Sequence, residues 1–120
     1  MKFIHTADWH LGKLFYGEYL TENQEWILKN RFLPVLDEEK PDAVILAGDV
    51  YDRSVPPAEA VMLFDEMISE IVGKRHLPFL VISGNHDSAE RISFAGSILK
   101  NSGLYIYGDL KRTEPVILKD

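Results

Sequence analysis

Three clusters of polar side chains in this sequence have the right types and spacing to bind metal ions. They are Asp8-Trp9-His10, Gly48-Asp49 and Gly84-Asn85-His86-Asp87. Carboxylate, imidazole and amide oxygen together form a ligand set for manganese, iron or zinc, and one carboxylate can bridge two ions in a hydrolytic site. Each residue alone is equally well explained as a turn or solvated loop residue. Three such clusters in one short chain favour metal binding.

Each cluster ends a segment with the apolar pattern of a strand. These strands are predicted at Lys2 to Thr6, Ala43 to Ala47 and Leu77 to Ser83. Helices are predicted at Thr21 to Glu38, at 57–72 with an end near Gly73, and at Ser88 to Asn101, followed by strands at Leu104 to Tyr107 and Val116 to Leu118. The alternation predicts an α/β fold, with a mostly parallel sheet flanked by helices on both faces. The carboxyl ends of parallel strands share one edge, so the three clusters would meet there.

The first helix carries two local signals. Thr21 and Gln24 have the spacing of a capping box, in which each side chain would satisfy the other's backbone N–H. Pro34 lies inside the helix and lacks an N–H, so we expect weakened hydrogen bonding near Asn30.

Composition limits the classes of function. The chain has 120 residues, a net charge of −6 and no cysteine, which excludes a disulfide framework, a thiolate zinc site and a cysteine nucleophile. The N-terminus lacks the apolar core of a secretory signal, and the longest apolar run, Ala43 to Ala47, is too short to cross a membrane. We therefore expect a cytoplasmic protein with no membrane contact. The acidic charge does not exclude a phosphate substrate, because bound divalent cations would supply positive charge at the site.

The three clusters resemble the first signature motifs of the calcineurin-like metallophosphoesterases. Their flanks, His5 to Lys13, Gly48 to Asp52 with Pro56-Pro57, and Gly84 to Ser88, are most similar to the SbcD-like nuclease subunits, which process DNA double-strand breaks in bacteria. The resemblance covers essentially the whole chain. It implies that residues 1–120 are the N-terminal portion of an α/β sandwich whose capping domain and downstream metal-binding histidines are absent here.

The resemblance also implies roles for individual residues. The metal ligands would be Asp8, His10, Asp49 and Asn85, with Asp49 bridging two divalent ions, most often Mn²⁺ in this branch. His86 would stand near the scissile phosphate and protonate the leaving oxygen or stabilise charge. Asp52 would orient His86 or simply be a loop residue, and Asp87 is better explained as a helix cap.

The reaction implied is metal-assisted phosphodiester hydrolysis of DNA. It would include 3′→5′ exonuclease action on duplexes and endonuclease action on single strands or hairpins, together with an SbcC-like ATPase subunit. Because downstream ligands are missing, we expect this chain to bind metal weakly and to hydrolyse little. His5, interpreted as a core residue or a neighbour of the ligands, and His76, interpreted as solvated, do not replace them.

A second surface is predicted from apolar residues of helices 57–72 and 88–101 that lie outside the apolar face expected to pack on the core. They are Leu63, Met67, Phe94 and Ile98. An exposed patch there would support a homodimer through helices 57–72 and 88–101, and the alternative is a second core face. The aromatic residues Phe15, Tyr16 and Tyr19 either stack on nucleotides or pack locally.

Two other functions stay open at this point. The same chemistry would serve a metallophosphoesterase that acts on small phosphodiesters or phosphoproteins. A non-catalytic assembly module would instead use the apolar helix faces.

Overall fold

The computed structural model describes residues 1–53, 55–82, 103–107 and 116–118. The strands are β1 (Phe3–Ala7), β2 (Leu14–Phe15), β3 (Glu18–Tyr19), β4 (Ala43–Ala47), β5 (Phe79–Ile82) and β6 (Leu104–Tyr107). The helices are α1 (Thr21–Ile27), α2 (Leu33–Glu39) and α3 (Ala58–Ile68). The predicted helix from Ser88 to Asn101 lies outside the described residues. Residues 116–118 are described without strand structure, so the strand predicted there is wrong.

Four strands form one parallel sheet in the order β1-β4-β5-β6. The register aligns Ala7 with Ala47, Ala47 with Ile82, and Ile82 with Tyr107. All four strands therefore finish at one edge. The predicted α/β fold with a mostly parallel sheet is confirmed, including β4 and β6 with the predicted bounds.

The described helices cover one face of this sheet. Along β4, Val44 and Leu46 are fully buried, whereas the alternate residues Ile45 and Ala47 are only half-buried. On that second face Ile82 is 48% exposed. Helix cover on the second face stays a prediction, because the helix predicted at Ser88 to Asn101 lies outside the described residues. The helices that are described share one side of the sheet. The strand order explains this, because right-handed crossovers that all advance in one direction place their helices on the same side.

The first predicted helix is present but interrupted. Between α1 and α2 the chain makes a π-helical turn, Leu28–Phe32, in the region where Pro34 removes the N–H that would bond to the carbonyl of Asn30. The expected disturbance near Asn30 is confirmed. The capping box is wrong, since Leu20 occupies the cap position and the Gln24 side chain bonds to the loop after β1 instead.

Helix α3 contradicts the predicted exposed patch. Leu63 is 3% exposed and Met67 is fully buried, so both belong to the core. The buried column runs through Ala60, Leu63, Met67 and Ile71, at helical spacing. The buried face is wider than the pattern along the helix predicts, because α3 contacts α1 as well as β5, where Phe64 packs against Phe79. Phe94 and Ile98 lie outside the described residues.

The end of the α3 region is held by charged side chains. A second π-helical turn, Ser69–Lys74, contains Gly73, so the predicted glycine cap is wrong.

After this turn, the Arg75 guanidinium donates to Asp37 at 2.8 and 3.0 Å and to Glu70 at 2.9 Å. A hydrogen bond from Arg75 lowers the pKa of Asp37. The pKa of Glu70 is lowered mainly by a hydrogen bond from Lys74 and next by one from Arg75. These bonds connect α2 to the chain that leads into β5.

A cation also connects α1 to α3. The Lys29 ammonium lies 2.8 Å from Glu25 and 2.6 Å from Glu66, and its hydrogen bonds to Glu25 and then Glu66 raise the pKa of Lys29. Within the described ranges, no helix has the length and apolar content needed to cross a membrane.

Candidate metal centre

Three of the predicted metal ligands meet at the carboxyl edge of the sheet. Asp8 and His10 follow β1, and Asp49 follows the neighbouring strand β4. One ligand atom from each lies within 4.8 Å of the others, and His10 Nε2 is 3.7 Å from a carboxylate oxygen of Asp49. His10 and Asp49 are half-buried and Asp8 is exposed. This position is partly protected from water yet open to a substrate.

All three residues have an uncommon backbone conformation. The φ angles are 54° at Asp8, 46° at His10 and 44° at Asp49, in the left-handed region that few non-glycine residues adopt. Such conformations concentrate at functional sites, where the surrounding structure fixes them. Here they turn the chain sharply at the end of each strand, so that the side chains gather above the sheet edge.

Backbone hydrogen bonds hold the two ligand-bearing loops side by side. The N–H of Asp8 donates to the carbonyl of Gly48 at 3.2 Å, and the N–H of His10 donates to the carbonyl of Asp49 at 2.9 Å. The N–H of Leu11 continues the pattern by donating to Val50 at 2.9 Å. The parallel pairing of β1 and β4 therefore extends into the loops and fixes the distance between the ligands.

Trp9 anchors the first loop from below, a role that the sequence analysis did not assign. Its ring packs edge-on against Phe32 and Phe64, with centroids 5.5 and 6.5 Å away, and contacts Phe79 at 6.2 Å. Its indole N–H donates to Thr6 Oγ1 at 2.9 Å. Since Asp8 and His10 flank this anchored residue, their side chains are directed away from the core.

The comparison with protein families decides what kind of site this is. Residues 1–118 match the family described as calcineurin-like phosphoesterase. The chain belongs to this family. As a calcineurin-like phosphoesterase it is a hydrolase whose chemistry depends on divalent metal ions.

The donor set of this phosphoesterase chain fits such ions. Two carboxylates and one imidazole within 4.8 Å are suitable ligands for manganese, iron or zinc. Asp8, His10 and Asp49 would hold the metal. Its chemistry would be Lewis-acid assistance to phosphoester hydrolysis.

Asp52 contacts a different histidine from the one proposed for it. Its carboxylate lies 3.2 Å from Nδ1 of His10, opposite the Nε2 that faces Asp49. A carboxylate on the second ring nitrogen fixes the orientation of a metal-binding imidazole. In this structure Asp52 therefore orients His10. Asn85 and His86 lie outside the described residues, so their predicted roles, and a contact between Asp52 and His86, stay predictions.

The two remaining histidines are both exposed. His5 lies on the uncovered face of β1, so its interpretation as a core residue is wrong. His76 precedes β5 at the opposite end of the sheet and is exposed as predicted.

Proposed function

We propose that this phosphoesterase chain is the nuclease portion of an SbcD-like protein, which hydrolyses DNA during double-strand-break repair and recombination. The observation that carries the hydrolytic function is the grouping of Asp8, His10 and Asp49 within 4.8 Å at the carboxyl edge of the sheet. The flanking residues of the motifs and an exposed aromatic hairpin, rather than the geometry of the ligands, support the narrower assignment to DNA.

In this proposal the chain holds two divalent ions, which are Mn²⁺. The residues that would hold these ions are Asp8, His10, Asp49 and Asn85. Two ions of this kind supply a more acidic water molecule and positive charge for the phosphate. His86 donates a proton to the oxygen of the departing strand.

An exposed aromatic hairpin supports a nucleic-acid substrate. The β2–β3 hairpin follows the first ligand loop, and Phe15, Tyr16 and Tyr19 are 55%, 92% and 55% exposed. Single-stranded nucleic acids stack their bases on such rings. A site for small phosphodiesters would gain little from an open aromatic surface.

The test is hydrolysis with Mn²⁺ by wild type, Asp49→Asn and the control Asp65→Asn, which alters an exposed carboxylate on α3. Substrates are a 3′-labelled DNA duplex, a DNA hairpin, a small aromatic phosphodiester and a phosphopeptide. We expect slow cleavage of the DNA substrates at Mn²⁺ concentrations high enough to offset the weak metal binding expected of this chain, with at least a hundredfold loss in Asp49→Asn and unchanged rates in Asp65→Asn.

The other outcomes distinguish the alternatives. Hydrolysis of the small diester or the phosphopeptide without DNA cleavage would favour the second phosphoesterase function. Full activity in Asp49→Asn would contradict the site itself. Wild type without any hydrolysis, but with stable self-association, would favour an assembly module.

We further propose that an SbcC-like ATPase is the partner. Adding such a subunit with ATP should increase the rate of duplex degradation, and an unchanged rate would contradict this pairing. The proposed homodimer now depends on residues 88–101, because Leu63 and Met67 are buried in the core.

A further inference from the structure

The side chain of Gln24 joins α1 to the loop that carries Asp8 and His10. Its Nε2 donates to the carbonyl oxygens of Trp9 at 3.2 Å and His10 at 2.9 Å. Its Oε1 accepts the N–H of Gly12 at 3.0 Å. A single half-buried side chain thus binds three backbone groups of one loop.

These three groups lie where the loop backbone is least regular. His10 and Gly12 have φ angles of 46° and 81°, and Asp8 before them has 54°. Side chains commonly supply hydrogen-bond partners to the buried carbonyl and N–H groups of a loop. Only a carboxamide offers both the two donors and the acceptor that they require.

We propose that Gln24 is a positioning residue for the metal centre. It fixes the backbone between Asp8 and Gly12, so that the imidazole of His10 is already beside Asp49 when the metal ion arrives. This inference rests on the proposed function, because it requires a divalent ion at these ligands. Gln24 itself acts through the backbone and does not touch the ion.

Two substitutions remove this function in different ways. Gln24→Leu keeps the size of the side chain but removes all three hydrogen bonds. It fits the site, because Gln24 borders a cavity of about 290 Å³ together with apolar side chains such as Leu11, Ile27 and Phe32. Gln24→Glu keeps an acceptor for Gly12 but places a carboxylate against two carbonyl oxygens. Asn23→Leu, an exposed change on the same helix, is the matched control.

The experiment measures Mn²⁺ binding by calorimetry at neutral pH, together with the circular dichroism spectrum and Tm of each variant. We expect the Kd for Mn²⁺ to rise by about 10- to 100-fold in both Gln24 variants, as is usual when the partner that orients a ligand is lost. Asn23→Leu should keep the wild-type Kd. All titrations are made well below Tm, where a loss of stability alone leaves the Kd unchanged.

The results separate this inference from the proposed function. A wild-type Kd in a folded Gln24→Leu or Gln24→Glu protein would overturn the positioning role and leave the metal site intact. Wild type that fails to bind Mn²⁺ would overturn the proposed function and this inference with it. Should Gln24→Leu fail to fold, the Kd of Gln24→Glu decides.

Discussion

The ring of Pro57 lies 2.9 Å from the point that a Cβ atom would occupy on Gly12. Ala60 is almost as close, at 3.0 Å, and Gly12 has a φ of +81°. Only glycine therefore permits this approach of the first ligand loop to the start of α3. The loop of the metal centre is fixed from this side by a steric contact and from the other by Gln24.

A series of glycine substitutions tests this close approach. Gly12→Ala should lower the free energy of unfolding by about 3 kcal/mol, since it adds a steric clash to a strained φ. Gly17 has a φ of +80°, but an added Cβ would meet nothing within 4 Å, so Gly17→Ala should lower the free energy of unfolding by only about 1 kcal/mol. Gly73 has neither a positive φ nor a close neighbour, so Gly73→Ala should leave the free energy of unfolding unchanged or raise it by about 0.5 kcal/mol. Urea unfolding measures all three, and equal losses for Gly12→Ala and Gly17→Ala would contradict the contact with Pro57.

Two methionines on α3 test which face of that helix is in the core. Met67 is fully buried and Met62 is 62% exposed. Met67→Ala should lower the free energy of unfolding by about 3 kcal/mol through cavity formation, whereas Met62→Ala should change it by less than about 0.5 kcal/mol. Thermal or urea unfolding gives the comparison. A neutral Met67→Ala that changed the sedimentation coefficient would instead place this residue in a dimer contact.

The ion pairs of Arg75 predict an acid-dependent stability. Folding lowers the pKa of Asp37 and Glu70 below their ordinary values of 3.8 and 4.5. A carboxyl group whose pKa is lower in the folded than in the unfolded protein stabilises the fold at pH values above its unfolded pKa. This stabilisation is lost as the pH falls through the folded pKa. Arg75→Met should therefore reduce Tm near neutral pH and weaken the fall of Tm below about pH 4.5.

The control for this prediction is Lys13→Met, which removes an exposed cation near the other end of the sheet. Its Tm should follow the wild-type pH profile. The difference caused by Arg75→Met should also shrink at high salt, because Asp37 is exposed to solvent and Glu70 is partly so. Parallel pH profiles for wild type and Arg75→Met would rule out this contribution.

Tyr16 combines exposure with an unfavourable backbone conformation. It has a φ of +50° and precedes Gly17 in the two-residue turn between β2 and β3, a turn that favours asparagine followed by glycine. Tyr16→Asn should therefore keep or raise Tm. If the ring stacks on a base, the same change should weaken single-stranded DNA binding by about tenfold. Tyr16→Phe should retain binding, and equal DNA affinities for Tyr16→Asn and wild type would exclude stacking.

Local sequence patterns predict best the strands that consist of one uninterrupted run of apolar residues. Ala43–Ala47 was predicted with its observed bounds because a run of small and β-branched apolar residues, ended by Gly48, has few alternatives to a buried strand. The edge-strand residue His5 was misassigned because a pattern along one strand does not show which face of the sheet other elements cover.

Long-range contacts explain the other differences. Gln24 has the spacing of a local cap, yet its partners precede it by more than ten residues and become visible only once the loop and α1 are adjacent. For Leu63 and Met67 the sequence left an exposed patch and a second core face open, because it does not show that α3 contacts α1; their burial supports the core face. The grouping of Asp8, His10 and Asp49, by contrast, follows from strand order alone, since neighbouring parallel strands end together.

The π-helical turn at Leu28–Phe32 has a consequence for how the two halves of this helix are phased. Such a turn accommodates one residue more than regular α-helical winding, so the half before it is rotated relative to the half after it. The first half can then direct Gln24 at the ligand loop while the second buries Leu33 and Leu36. Deleting one residue within 28–32 would rotate Gln24 by about 100° around the helix axis. The length of this short segment therefore determines whether the Gln24 side chain reaches the loop of the metal centre.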